Sequence, residues 1–183
     1  MSILRTVIPA LATVSAAGIY FGIRSIQAAQ LTVVNSTLFE NYRGNHLDVY
    51  QTTFDTPIDI RKFASCFFRS PVFQAERIVL KLFGYGDIVD DSIDALKFEP
   101  QDEVVVFQVV ERKSDEMVFA WKLSSTTFGN SWFHVDENGH TLHYGTTMST
   151  SKPIPFLILN CHLLYAQIVL ASARYQYNKE STK

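Results

Sequence analysis

The residues most suited to chemistry are a neighbouring cysteine and histidine inside an apolar run near the C-terminus, PFLILNCHLLYAQIVLASARY, residues 155–175. A thiolate beside an imidazole is a common nucleophilic pair in enzymes. On a helix, however, adjacent side chains diverge by about 100°, so Cys161 and His162 cannot meet as such a pair. The dyad is therefore excluded, and His162 alone stays a candidate acid or base near neutral pH.

The histidine points into the molecule only if this run is a helix that covers a core. Asn160, Gln167 and Arg174 recur every seven residues and predict one polar stripe that faces water. At about 100° per residue, His162 falls on the far side. The positions that share this far side with it are Ile158, Tyr165, Val169 and Ala173. The pattern predicts a long helix with an inward His162 rather than a membrane span.

The rest of the chain supplies elements for that helix to cover. Residues 46–54 predict a strand, and apolar residues at three- and four-residue steps predict helices over 60–68 and 72–83. Four further strands, joined by short polar turns and therefore antiparallel, are predicted at 104–112, 116–124, 130–136 and 140–150. Alternation along these strands points Trp121 and Phe133 inward and His143 to the surface.

Composition narrows the class of protein further. A chain of 183 residues with 47% hydrophobic residues suits one globular domain. A net charge of −2 without any basic patch argues against nucleic acid as a partner. Cys66 and Cys161 lack metal-ligand spacing and are interpreted as free thiols, with one disulfide left open for an oxidising compartment. The acidic segment 87–103 lacks the spacing of a calcium loop and is interpreted as a solvated connection, so no metal and no cofactor is expected.

The first thirty residues form a separate segment. TVIPALATVSAAGIYFGI is uncharged and predicts an apolar N-terminal helix. It is interpreted as a membrane anchor, a cleaved secretory signal or a mitochondrial presequence, which places the protein at a membrane, in the secretory pathway or in mitochondria. The triplet at Asn35 is a glycosylation acceptor if it reaches the secretory lumen. A linker is predicted at 31–43, the folded domain at 44–177 and a frayed polar tail at 178–183.

The order of one strand, two helices, several strands and a long final helix resembles the helix-grip fold of the START-like superfamily. That superfamily includes polyketide cyclases, lipid-transfer domains and relatives of the birch-pollen allergen. Four stretches look like an uncharacterised START-like family, some of whose members are fused to NAD(P)-binding domains resembling short-chain dehydrogenases: FRSPVFQAERIVL, FEPQDEVVVFQVVER, GNSWFHV and PFLILNCHLLYAQIVLASA. This similarity spans residues 44–176. Cys161 replaces the aromatic residue that the family carries before its histidine. No glycine-rich fingerprint occurs, so the fused partner's cofactor is not carried over.

The resemblance implies an α+β fold in which a curved antiparallel sheet grips the final helix around a cavity for a small hydrophobic molecule. The residues predicted to line this cavity are Phe107, Trp121, Phe133, Tyr144, His162 and Tyr165. The expected function is binding or transfer of a lipid-like ligand at or near a membrane. The alternatives are a cofactor-independent cyclase, isomerase or dehydratase that uses His162 as acid or base, and a scaffold with a filled core.

Overall fold

A computed structural model describes residues 22–30, 46–151 and 153–182. The predicted N-terminal apolar helix lies almost wholly outside these residues, as do the linker at 31–43 and Asn35. The described part is an α+β structure in which a long C-terminal helix packs on a wholly antiparallel sheet.

The described residues contain seven strands that form one sheet. They are β1 (Gln27–Ala28), β2 (His46–Thr53), β3 (Glu103–Val104), β4 (Phe107–Arg112), β5 (Glu116–Lys122), β6 (Thr127–Val135) and β7 (Thr141–Thr150). Their order across the sheet is β1-β2-β7-β6-β5-β4-β3. The predicted strand 104–112 is split in two because Val105 has a positive φ of 58°, which turns the chain.

Four helices lie wholly within the same residues: α1 (Ile60–Phe68), α2 (Pro71–Leu82), α3 (Asp90–Ala95) and α4 (Phe156–Ser181). Both predicted helices before the meander are confirmed. Asp59 fixes the start of α1 because its carboxylate accepts the Lys62 amide at 3.0 Å. Ser70 caps α2 in the same way, and Pro71 occupies its first turn, where a missing amide proton costs nothing.

The C-terminal end of α4 is tied to α1. Lys62 Nζ donates to Ser181 Oγ at 3.0 Å, and the Arg69 guanidinium forms an ion pair with Glu180 at 2.8 Å. The helix therefore continues to Ser181, and the prediction of a frayed tail from Asn178 was wrong. A polar C-terminal turn stays ordered where other elements hold it, and here α1 and the residue after it supply the partners.

The middle and C-terminal part of α4 covers the sheet, while its first turns do not. Val169 and Ala173 are buried as predicted, but Ile158 is 56% exposed and the prediction of an inward Ile158 was wrong. The buried residues of α4 begin at Ala166, so helical phase alone does not bury the first turn. Among the described residues α4 is the one helix long and apolar enough to cross a membrane, and 28% of its most apolar 18-residue window is buried.

The predicted polar stripe on α4 faces water at its N-terminal end and meets β2 further along. Asn160 is exposed. Gln167 is half-buried, and its amide nitrogen lies 3.4 Å from the Tyr50 hydroxyl. The Arg174 Nε donates to the Thr53 carbonyl at 3.3 Å. The stripe thus fixes the edge of the helix against the sheet.

The inner face of the sheet and the two adjoining helices enclose an aromatic core. Phe63 and Phe67 on α1 pack edge-on against Phe133 on β6, with ring centroids 5.3 and 5.0 Å apart. Phe68 meets Phe119 in the same way at 5.1 Å. These offset aromatic contacts stabilise the domain beyond the area that they bury.

The outer face of the sheet carries a second, polar cluster. Trp132 is fully buried there and donates its indole N–H to Glu116 at 3.2 Å, while His134 stacks on the Trp132 ring. His143 lies on this outer face, as alternation predicted, but it is only 7% exposed and stacks on His134. The prediction of a surface His143 was therefore wrong, because the neighbouring rings bury it.

This burial predicts a specific acid sensitivity. Desolvation, followed by the proximity of His134, lowers the pKa of His143 from 6.5 to about 4, against a smaller opposing effect of Asp136. The unfolded chain binds a proton at this residue below pH 6.5 that the folded chain does not bind, so stability falls as the pH drops from 6.5 to about 4. We expect His143→Gln to reduce the acid-induced loss of unfolding free energy in this window by about 1–2 kcal/mol.

Urea denaturation of the parent chain and the variant at pH 7, 5.5 and 4.5 measures this difference. His140→Gln is the matched control for the loss of an imidazole, because this partly exposed histidine lies immediately before β7 and outside the stack of His134 on His143. If the unfolding free energies of His143→Gln and the parent fall equally between pH 7 and pH 4.5, His143 is protonated in the folded state and the prediction is wrong.

Candidate functional site

A cavity of about 190 Å³ lies between the inner face of the sheet and the helices α2 and α4. Five of the six predicted site residues line it: Phe107, Trp121, Tyr144, His162 and Tyr165. Strand alternation brings the first three to the inner face, and the helical phase of α4 brings the last two. The remaining walls come mainly from Phe67, Phe73, Val106, Met148, Ala166 and Val169.

Phe133 is not part of this cavity, and the prediction that it lines the site was wrong. Its side chain is fully buried and surrounded by other rings, including Phe63, Phe119 and Tyr144. Alternation gives the correct face, but it does not show where along the strand the sheet and helices separate. Phe133 lies where α1 fills the space, and Ser131, two residues earlier on the same face, reaches the cavity.

One end of the cavity holds a carboxyl group that is not among the predicted site residues. Glu76 on α2 lines the cavity, and the Tyr165 hydroxyl donates to its Oε2 atom. Burial raises the pKa of Glu76, although the bond from Tyr165 acts in the opposite direction. Burial and then the charge of Glu76 raise the pKa of Tyr165, so the phenol remains the proton donor.

A signal for Glu76 was present in the sequence. Glu76 follows Phe73 by three residues and precedes Leu80 by four, and both of these apolar residues are buried. Residues at such spacing share one face of a helix. A charged residue between two buried apolar positions is a candidate for a buried functional group.

At another part of the cavity, polar contacts join His162 to β2 and β7. The Thr146 hydroxyl donates to Asp48 Oδ1, and His162 Nε2 lies 2.9 Å from the same hydroxyl oxygen and 3.9 Å from Asp48 Oδ1. A hydroxyl has one proton to donate. With Asp48 ionised, the Thr146 oxygen must therefore accept from His162, which fixes a tautomer with the proton on Nε2.

Asp48 is an unusual residue for the inner face of a sheet. Its side chain is 7% exposed, and its Oδ2 atom makes no hydrogen bond within the described part of the chain. Burial raises the pKa of Asp48, and the bond from Thr146 and the nearby His162 partly offset this effect. Burying a carboxyl group without a full set of partners is costly, which is typical of sites selected for function rather than stability.

Tyr144 lies close to both polar groups of the cavity, the one with Glu76 and the one with Asp48. Burial raises its pKa, and the carboxyl groups of Asp48 and Glu76 act in the same direction, while the side chain of Ser131 lowers it through a hydrogen bond. The phenol therefore stays protonated across the physiological range and can donate to an oxygen or nitrogen in the cavity.

The cysteines take no part in this site. Cys161 is exposed while the adjacent His162 contacts Thr146, as expected for neighbours on a helix. Cys66 is buried beside Glu180, and burial raises the pKa of its thiol to about 12. Both are free thiols, and the Cys66 thiol is kept protonated and unreactive.

The acidic segment is largely exposed, as predicted, and three of its carboxylates also pair with arginines. Arg77 forms ion pairs with Asp87 at 3.2 Å and with Asp90 at 2.6 Å. Arg69 pairs with Asp94 at 2.9 Å. Across residues 22–30, 46–151 and 153–182, no group of three or more His, Cys, Asp or Glu side chains is arranged to hold a metal ion.

The fold and site define a class: an α+β chain with a partly polar cavity enclosed between an antiparallel sheet and a long C-terminal helix. No protein-family model matches the chain, and no curated protein and no solved structure is found to be similar to it. The START-like relationship therefore stays a prediction that rests on the sequence motifs.

Proposed function

We propose that this chain is a START-like helix-grip domain that binds a compact hydrophobic molecule between the sheet and α4. The observation that carries the proposal is the 190 Å³ cavity with predominantly aromatic and aliphatic walls. An apolar protein cavity of about 150 Å³ takes up benzene, so this cavity suits a ligand of roughly one ring or a short branched chain. It is smaller than the roughly 300–1,000 Å³ pockets that hold drug-sized ligands, so a long lipid could place only one end inside.

The proposed location at a membrane is supported by exposed apolar side chains as well as by the N-terminal sequence. Phe156 and Leu157 at the start of α4 are 82% and 73% exposed, and Leu82 and Phe83 at the end of α2 are 81% and 78% exposed. Large apolar side chains grouped on a surface are typical of sites that meet a membrane or another protein.

A second candidate function is supported by the contacts of His162. A histidine held by a threonine that is itself bonded to a buried aspartate has a fixed tautomer and orientation, which general acid–base catalysis requires. Tyr144 and Tyr165 would supply hydrogen-bond donors to a carbonyl substrate. The corresponding activity is a cofactor-independent cyclisation, isomerisation or dehydration.

Native mass spectrometry of the purified full-length chain tests the binding function. We expect a non-covalent adduct of low mass, released on collisional activation. His162→Ala separates the two functions. If the protein is only a binding module, the variant keeps the adduct. If it is an enzyme, the variant keeps the adduct but no longer turns over a candidate substrate. A chain that carries no adduct and takes up no small aromatic compound would contradict both functions.

A further inference from the structure

We infer that the cavity selects a compact organic cation, an ammonium group on an apolar body, with Glu76 as its counter-ion and the aromatic rings as its walls. This inference rests on the proposed ligand-binding function and specifies the chemical class of the ligand. It follows from three features of the cavity: the sign of its charges, the free oxygen of Glu76 and the density of aromatic rings.

The permanently charged side chain types around the cavity are carboxylates. Glu76 lines it, and Asp48 lies directly behind Thr146 and His162. None of the described residues that line the cavity is a lysine or an arginine. The cation next to Glu76 in sequence, Arg77, is engaged on the other side of α2 by Asp87 and Asp90. An anionic ligand would therefore meet carboxyl groups without a fixed counter-charge.

Glu76 is positioned to accept a further hydrogen bond. Tyr165 occupies its Oε2 atom, and the Oε1 atom makes no hydrogen bond to any residue in the described ranges. Glu76 is half-buried and has no cationic partner among the described residues, so a ligand can supply its counter-charge. An ammonium group at this position would donate to Oε1 and supply the positive counter-charge of the carboxylate.

The walls suit the same chemistry. Six aromatic side chains line this small cavity: Phe67, Phe73, Phe107, Trp121, Tyr144 and Tyr165. Aromatic faces attract alkylammonium groups through their quadrupole, and protein sites for quaternary and methylated amines are built from such rings. Aromatic walls alone would hold any apolar ring, so the carboxylate at one end gives the cavity its preference for a positive charge.

Three compounds that share one ring and differ in charge test this inference. They are benzylamine, which is a cation at pH 7.5, the neutral benzyl alcohol, and the anion benzoate. Isothermal titration of the full-length chain measures each affinity. We expect benzylamine to bind about tenfold more tightly than benzyl alcohol, since hydrogen bonds to charged groups are the stronger ones, and benzoate to bind weakest.

Variants assign the preference to Glu76. Glu76→Gln keeps the shape of the side chain and an oxygen that accepts from Tyr165, and should lower benzylamine affinity about tenfold while leaving benzyl alcohol within about twofold. Glu137→Gln removes the same charge from an exposed turn and should change neither affinity.

The outcomes separate this inference from the proposed function. If benzyl alcohol binds as tightly as benzylamine, or if Glu76→Gln leaves benzylamine affinity unchanged, the cation preference is wrong while ligand binding stands. If none of the three compounds binds the parent chain at millimolar concentration, the proposed ligand-binding function itself is contradicted.

Discussion

Replacing Phe133 with alanine is expected to lower the free energy of unfolding by about 3–5 kcal/mol. Its ring is fully buried and meets Phe67 at 5.0 Å, Phe119 at 5.6 Å and Tyr144 at 5.6 Å. Removing it leaves a void between rings that are fixed on α1, β5 and β7. Because such a site cannot collapse, the cost combines lost burial with an unfilled cavity.

Phe107→Ala is the matched control for this prediction. Phe107 also faces inward, but it is half-buried and already borders the cavity, so its loss is expected to cost about 1–2 kcal/mol. Urea denaturation of both variants measures the difference. Equal losses for the two variants would show that Phe133 borders the cavity after all and that the division between core and site is drawn wrongly.

Filling the cavity from α4 should remove ligand binding without unfolding the protein. Ala166 is buried and lines the cavity, so the larger side chain of Ala166→Leu can extend into empty space. We expect its unfolding free energy to stay within about 1 kcal/mol of the parent, because added methyl groups gain burial where there is room. Affinity for benzyl alcohol should fall by more than tenfold as the ligand loses its volume.

Ala173→Leu makes the same change two helical turns further along, at a position that is fully buried and does not line the cavity. Overpacking a filled core costs about 1–3 kcal/mol. Thermal unfolding and isothermal titration of both variants therefore give opposite patterns. Ala166→Leu with full affinity, or with the instability of Ala173→Leu, would indicate that the space beside Ala166 is not a ligand site.

The element order was predictable because it follows from local patterns. Period-two alternation and short polar turns gave the meander β4 to β7, and three- and four-residue spacing gave α1, α2 and α4. These patterns also placed Trp121, His162 and Tyr165 on the correct faces. Whether the facing elements touch or separate depends on distances between elements, and that is why Phe133 and Ile158 were assigned wrongly.

The polar half of the site depends on long-range pairing that a single sequence does not show. Asp48 lies opposite Thr146 because β2 pairs with β7 in one particular register, across nearly a hundred residues of chain. Glu76 meets Tyr165 because α2 packs beside α4. Of these polar residues, only Glu76 could have been noticed in advance, from its position between two apolar residues on one helix face. His143 shows a separate effect, because a residue on the outer face of the sheet can still be buried.

A crystal structure determined under xenon pressure tests most directly whether the interior between the sheet and α4 is hollow and open to a ligand. Xenon enters apolar cavities large enough to hold it. The proposed function predicts a xenon atom in van der Waals contact, about 4 Å, with the side chains of Trp121 and Val169. A space that is filled by side chains and contains no xenon would contradict the proposal and favour a scaffold with a filled core.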